Sequence, residues 1–252
     1  MTDPVRALAF GPHPDDVELF CGGTVARLVA EGHDVAIVDL TRGELATRGT
    51  TETRAAEAAA AAKILGVRAR ENLQLPDGRI DPAPTHLEPG SALARCVEVI
   101  RRYQPELILF PQRRARHPDH EAAHALVRRA AFLAGLTKVE GLAPHRPELA
   151  ACYSMRFAER PSFVVDVGDV YEVKRRAVSA YASQVRPRTD ATLVGAPGAL
   201  EALEARDRYH GSLVGADYGE AFSTESTIGT RDPILLLRAP SGGPRLFWEV
   251  GP

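Results

Sequence analysis

Cysteine is scarce in this sequence, and long apolar runs and excess charge are lacking. Cys21, Cys96 and Cys152 are its three cysteines in 252 residues, widely spaced and with no C-x-x-C. An odd, sparse set argues against a disulfide framework and suits a reducing cytoplasm. No apolar run approaches the roughly 20 residues that span a bilayer. The first residues, Met1-Thr2-Asp3-Pro4-Val5-Arg6, lack the charged-then-apolar layout of a signal peptide. A formal net charge of −2 supplies no global basic field to recruit nucleic acid or anionic lipid. The expectation is a soluble cytoplasmic protein without nucleic-acid or membrane partners, long enough to bury a full core.

What is there is alternation. Residues 5–10 read as a strand, and 17–31 as a helix with Leu19, Val25, Leu28 and Val29 on one face, closed by Gly32. A second strand at 35–40 and a polar loop at 41–51 precede an alanine-rich helix at 52–65, stopped by Gly66. Its five alanines from Ala58 to Ala62 favour helix and leave little side chain to bury, which suits close packing on a sheet. Residues 72–75 give a short strand before the turn Pro76-Asp77-Gly78. Leu93, Cys96, Val97 and Ile100 space a helix over 91–103; 107–110 is a buried strand, and 120–134 another helix. Beyond Gly135 the pattern loosens, with strands expected at 163–167, 234–237 and 246–250 and helices at 170–182 and 200–209. Strands alternating with helices imply an α/β fold, a Rossmann-like, mostly parallel sheet with helices on both faces. No repeat or linker divides the chain. It reads as one domain over 1–252, an α/β core at 1–135 with a C-terminal extension, 136–252, packed on it.

Two strand ends carry the chemistry. After the first strand comes Gly11-Pro12-His13-Pro14-Asp15-Asp16; after the strand at 107–110 comes Arg116-His117-Pro118-Asp119-His120. Ligands in open α/β sheets bind beyond the carboxyl ends of strands. Adjacent carboxylates repel unless a cation sits between them, and neighbouring histidines favour a transition metal over calcium or magnesium. His13, one aspartate and either His117 or His120 give three ligands with an open position, the composition of a catalytic zinc. A lone Asp here would read as a helix cap; the paired His-Pro-Asp motifs favour the metal. Two rivals use the same residues. His120-Glu121-Ala122-Ala123-His124 matches H-E-x-x-H, but would leave the first motif idle. Two histidines and a carboxylate also imitate a non-haem iron site. A nucleotide-binding module is a further alternative, opposed by acids where phosphate would want glycines.

Together the two motifs resemble the LmbE-like (PIG-L) family of metal-dependent N-acetylglucosamine deacetylases. Thr41-Arg42-Gly43-Glu44-Leu45, Glu52-Thr53-Arg54, Glu71-Asn72-Leu73 with Leu75-Pro76-Asp77, and Tyr218-Gly219-Glu220-Ala221-Phe222 are similar to its bacillithiol-biosynthesis branch, which deacetylates N-acetylglucosaminyl malate. The first motif departs from the family in beginning Gly-Pro-His in place of Ala-His. The resemblance implies a zinc cofactor (or another divalent metal such as Fe2+), with His13, Asp16 and His120 as ligands. It implies Asp15 as general base, His117 as oxyanion stabiliser and Asp119 as the group orienting His117. It also implies a small N-acetylglucosaminyl substrate and a homo-oligomer. The chemistry fits: zinc lowers the pKa of its water from about 15.7 to about 7, a carboxylate can shuttle the proton, and a protonated His117 beside Asp119 would stabilise the oxyanion by roughly 3 kcal/mol. Arginine pairs with carboxylates in two-pronged fashion, so Arg54, Arg113 and Arg116 are candidates to read malate. Glu44 and Asp77 are candidates for sugar hydroxyls. His124, Gln184 and His210 have no role assigned by sequence.

Overall fold

A computed structural model describes residues 3–156, 160–186 and 196–227. Among these, seven strands form one sheet in the order β3-β2-β1-β4-β5-β7-β6. The strands are β1 (Ala7–Gly11), β2 (Val35–Thr41), β3 (Ala69–Leu75), β4 (Leu107–Pro111), β5 (Leu149–Tyr153), β6 (Phe163–Asp166) and β7 (Gly219–Ser223). The first five run parallel, with Ala7 opposite both Val35 and Leu107. β7 then pairs antiparallel with β5 and β6. Helices α1 (Asp16–Ala30), α2 (Thr51–Leu65), α3 (Ala92–Tyr103), α4 (Pro118–Ala134), α5 (Tyr171–Ser179), α6 (Ala182–Val185) and α7 (Ala199–Ser212) complete the elements. β1 and β2 are buried throughout, as continuous apolar strands of a doubly covered sheet should be.

Two apolar clusters lie on opposite sides of the sheet, one of α3 and α4 residues with Leu8, Phe10 and Ile108, the other of α1, α2 and α5 residues with Ala7, Ala9 and Ile37. Alternate β1 residues thus serve opposite layers, as the two-residue period of a strand dictates. Local chemistry sets several helix ends. The Thr50 hydroxyl accepts from Thr53 N, the Ser91 hydroxyl from Ala94 N, and Gly66 leaves α2 at φ 74°. Buried Arg101 donates to the carbonyls of Ala134, Leu136, Val139 and Leu142, closing the end of α4.

The structure differs from the expectations mainly in the second half. The 170–182 helix is divided, a short 3-10 turn and α5 preceding α6. β5, Leu-Ala-Ala-Cys-Tyr, has little of the β-branched signal of a strand and is fixed by its pairing with β4. β3 starts three residues early and α4 two. The strands expected at 234–237 and 246–250 lie outside the described residues. No helix among the described residues is long and apolar enough to cross a membrane.

The second half is tied to the first by charge. α1 is broken at Cys21 (φ −143°), which frees the amides of Gly23 and Thr24; Glu220 of β7 accepts both, at 2.9 and 2.6 Å. Lys174 of α5 donates to Glu220 and to Asp207 of α7, each at 2.6 Å, and all three side chains are fully buried. Removing one partner of such a set leaves an uncompensated charge, so Lys174→Met is expected to lower the unfolding free energy at neutral pH by about 3–5 kcal/mol, read from urea denaturation. The pH sign follows from Asp207. Burial pushes its carboxyl up, but Lys174 and Arg206 outweigh this and hold it below the usual range. Its contribution is therefore complete at neutral pH and lost as pH falls through the folded-state value. Wild-type stability in Lys174→Met would refute this role.

Candidate metal centre

Chain order reverses between β1 and β4, which are neighbours in the sheet yet lead to helices on opposite faces. Loops leaving such a point diverge and open a crevice, and both His-Pro-Asp motifs lie there. Pro12 O accepts from Thr41 N and from its hydroxyl, pinning the first loop to the end of β2. Asp15 then takes φ 118°, a left-handed value that costs a non-glycine residue about 1–3 kcal/mol. The turn sends two adjacent carboxylates apart. Asp15 Oδ1 lies 3.2 Å from Arg54 Nη2, while Asp16 Oδ2 lies 3.2 Å from both His13 Nδ1 and His120 Nε2. Asp16 Oδ2 also accepts from His13 N at 3.0 Å.

The other face of the His13 ring meets a second pair of acids. Its Nε2 is 3.1 Å from Asp77 Oδ1 and 3.4 Å from Asp119 Oδ2. With a cation on the Nδ1 side, the ring proton would belong on Nε2, facing Asp77 and Asp119, and the Nδ1 lone pair would face Asp16 and His120. Across the crevice, His117 caps α4, its Nδ1 accepting from Asp119 N at 3.2 Å. This corrects one expectation. The Asp119 carboxylate goes to Gly78 N (2.7 Å) and His13, leaving its backbone to bond the His117 ring. Burial, then His13 and His120, lower the His117 pKa, against the raising effect of Asp119 and Asp16. A neutral ring that accepts at Nδ1 carries its proton on Nε2.

A cavity of about 360 Å³ covers this point, lined by His13, Asp15, Asp16, Arg54, Asp77, Arg116, His117 and His120 among others. Two candidates are not brought to it. Arg113 lines a separate hollow behind α4 with His124 and Cys152. Glu44 is exposed and spends an oxygen on Asp77 N. Arg54 reaches the cavity wall but is buried against Asp15 and donates to Pro14 O. Of the H-E-x-x-H residues, His124 points to Pro111 O and Glu121 accepts from Ala115 N. Gln184 lines the cavity and donates to Arg48 O; His210 sits on α7 outside it. Sequence reading missed Arg156 and the apolar Leu19, Phe20 and Met155, all in the lining. The α1 periodicity had marked Leu19 for the core.

The GlcNAc-PI de-N-acetylase (PIG-L) model matches residues 8–131. A diacetylchitobiose deacetylase of Thermococcus kodakarensis is 33% identical over 201 residues, 72% of this chain and 71% of the relative. A 1D-myo-inositol 2-acetamido-2-deoxy-alpha-D-glucopyranoside deacetylase of Streptomyces griseus is 34% identical over 279 residues, 97% and 81% of the two chains. The crystal structure of a conserved protein from Thermus thermophilus superposes with a TM-score of 0.80 at 38% identity, covering 90% of this chain and 97% of that one. The chain belongs to the PIG-L family. The family model and both relatives are named as deacetylases, amide hydrolases by class.

The PIG-L donor set fits a metal ion on this structure's own terms. His13, Asp16 and His120 offer ligand atoms mutually within 4.8 Å, as do His13, His117 and Asp119. Tetrahedral ligands at about 2.0–2.1 Å from zinc stand about 3.3 Å apart, the size of the 3.2 Å separations in the first trio. The electrostatics call for a cation as well. Burial opposes charge on His13, yet Asp119, Asp16 and Asp77 raise its pKa well above the usual imidazole value. Burial likewise opposes charge on Asp16, but His120 and His13 hold it well below the carboxylate range. Asp15 behaves differently. Burial pushes it up to about 7, against Arg54 and with help from the like charge of Asp16.

Arg54 needs space to do this. Gly43 has φ 68°, and a Cβ there would stand 2.0 Å from Arg54 Nη1. Gly43→Ala is therefore expected to push the guanidinium off Asp15 and to cost at least about 1 kcal/mol in urea unfolding, since alanine also resists positive φ. A variant as stable as wild type would show that Arg54 is not confined as described.

Proposed function

We propose that this chain is a metal-dependent deacetylase that hydrolyses the acetamide of an N-acetylglucosamine conjugate, with zinc as the metal and N-acetylglucosaminyl malate as the conjugate. The observation that carries the reading is the division of labour at the first turn. His13, Asp16 and His120 converge on one point while Asp15, one residue away, stays outside the trio and faces the same cavity. His13, Asp16 and His120 would hold the ion, which when bound supplies an acidified water and a positive charge for the amide carbonyl.

Asp15 takes the proton of the attacking water and returns it to the departing nitrogen, converting a poor amide anion into a free amine. A carboxyl at about 7 is matched to both halves of that task at neutral pH. Arg54 aims it and keeps a fraction of it ionised. His117 donates from Nε2–H to the carbonyl oxygen as negative charge develops there, and a neutral ring suffices for this because its Nδ1 is engaged by Asp119 N. Leu19, Phe20 and Met155 give the cavity an apolar side for the acetyl methyl and the sugar face. Arg116 and Arg156 supply positive charge on the same cavity, which supports an anionic aglycone. A neutral aglycone, inositol or a second sugar, is the second reading, drawn from the substrates for which the relatives are named.

Asp15→Asn is expected to keep stoichiometric zinc and to lower kcat about 10²–10⁴-fold. His13→Ala, Asp16→Ala and His120→Ala should lose the metal, scored by elemental analysis of purified protein. His117→Ala should keep it and lose about 10²–10³-fold in kcat. Normal acetate release by Asp15→Asn would remove the base, and metal loss in His117→Ala would move the ion to the His13–His117–Asp119 set. Acetate release from N-acetylglucosamine bearing malate, inositol or a second sugar decides the aglycone. Malate preference that disappears in Arg116→Ala supports the anionic reading; equal rates on all three overturn it.

A further inference from the structure

Asp77 lies on the turn after β3, buried at 6% exposure, and its two oxygens face different parts of the protein. Oδ1 is on His13 Nε2 at 3.1 Å, while Oδ2 accepts from Leu45 N at 2.9 Å. The exchange is returned when Asp77 N donates to Glu44 Oε1 at 3.0 Å. Two loops from separate strands are thus clasped by reciprocal hydrogen bonds, and one member of the clasp is also the partner of a metal-centre histidine.

The loop so held is a wall of the cavity, to which it contributes Leu45, Ala46 and Thr47. Leu45 is 69% exposed, an apolar side chain kept at the rim in place of the core. The far end of the loop is anchored by Arg48, which donates to Gln184 O and Arg186 O at 2.8 and 2.6 Å. Gln184 Nε2 answers with a bond to Arg48 O at 2.8 Å. At the other end, Gly43 N bonds the Thr41 hydroxyl. Leu45 sits between these anchors, and Asp77 holds its amide. Gly78, next to Asp77, leaves room for the wall: a Cβ there would stand 2.8 Å from Leu45 Cδ1.

We propose that Asp77 is a positioning residue that couples this wall to the metal-binding ring, so that ordering of the Leu45 loop and metal binding favour one another. The inference rests on the metal-dependent reading above. Together with Asp119 at 3.4 Å, the Asp77 carboxylate would keep the proton of a ligating His13 on Nε2, and hence the Nδ1 lone pair directed at Asp16 and His120, while Asp77 also seats Leu45 on the cavity wall. A ligating imidazole polarises its remaining N–H, which strengthens the bond to Asp77 and holds that carboxylate in the position Leu45 N requires. Coupling of this kind is reciprocal: whatever orders the wall tightens the metal by the factor with which the metal orders the wall.

Two variants separate the halves of the coupling. Asp77→Asn can keep its carbonyl oxygen on Leu45 N, but turns an NH2 group toward His13 Nε2, where two donors meet. Asp77→Ala removes both bonds. The measurements are the zinc dissociation constant of the folded protein, by chelator competition, and hydrogen–deuterium exchange of residues 43–48 with and without Zn2+. Both variants should bind zinc about 10–100-fold more weakly. Zinc should slow exchange of 43–48 further in wild type but not in Asp77→Ala, while in zinc-free protein Asp77→Asn should exchange as wild type does and Asp77→Ala faster. Wild-type zinc affinity in both variants, or exchange at 43–48 that zinc does not alter in wild type, overturns the coupling and leaves the deacetylase reading intact. Wild-type protein that binds no zinc strikes the deacetylase reading itself.

Discussion

The imidazole of His13 has two nitrogens, and in this protein both are engaged. Nδ1 faces Asp16 and His120, from the two sides of the switch point, and Nε2 faces Asp77 and Asp119. One ring therefore ties together the ends of β1, β3 and β4, each of which reaches the crevice by a different loop. Four carboxylates and three histidines in so small a volume would repel or desolvate one another without positive charge among them. A cation at Nδ1 and a proton at Nε2 would satisfy that demand, and the sheet topology makes the meeting possible.

The two neighbouring aspartates show how backbone conformation divides chemistry. The positive φ of Asp15 turns its carboxylate toward Arg54, and Asp16 alone joins the histidines. The strain is borne where Pro12 O, Arg54 and the first turn of α1 hold the loop from three sides, the kind of setting in which unfavourable backbone values persist.

How much of this was legible in the sequence depends on the range of each interaction. The paired His-Pro-Asp motifs stood out because each is a local cluster of chemically costly residues, and the apolar runs before them placed both at strand ends. The elements from β1 to α4 announced themselves by period and by stops such as Gly32 and Gly66. The partners that tune the centre did not. Asp77 reads as a turn residue and a candidate for sugar hydroxyls, and is the partner of His13 across 64 positions. Arg113 and Arg116 look equivalent on one loop, yet three residues of turn direct them to different hollows. Asp119 looked like the companion of the adjacent His117, but a residue two places along is carried past its neighbour by the first turn of a helix, and its carboxylate arrives at His13. β5 escaped notice for a related reason, since alanines and a cysteine become strand by pairing with β4.

The helix that carries Asp16 makes the same point from the other end of the chain. α1 is interrupted at Cys21, and the amides that the break exposes lie in the core, where an unpaired N–H is costly. Glu220 closes them from β7, Lys174 neutralises Glu220, and Asp207 balances Lys174. Gly23 is required at the break, because a Cβ would press on Val167 at 2.9 Å and on Glu220 at 3.1 Å. The first half of the chain supplies every residue of the candidate metal centre. The second half supplies the buried charges that let the helix beneath it stay broken in the right place, so the position of Asp16 depends on side chains roughly two hundred residues away.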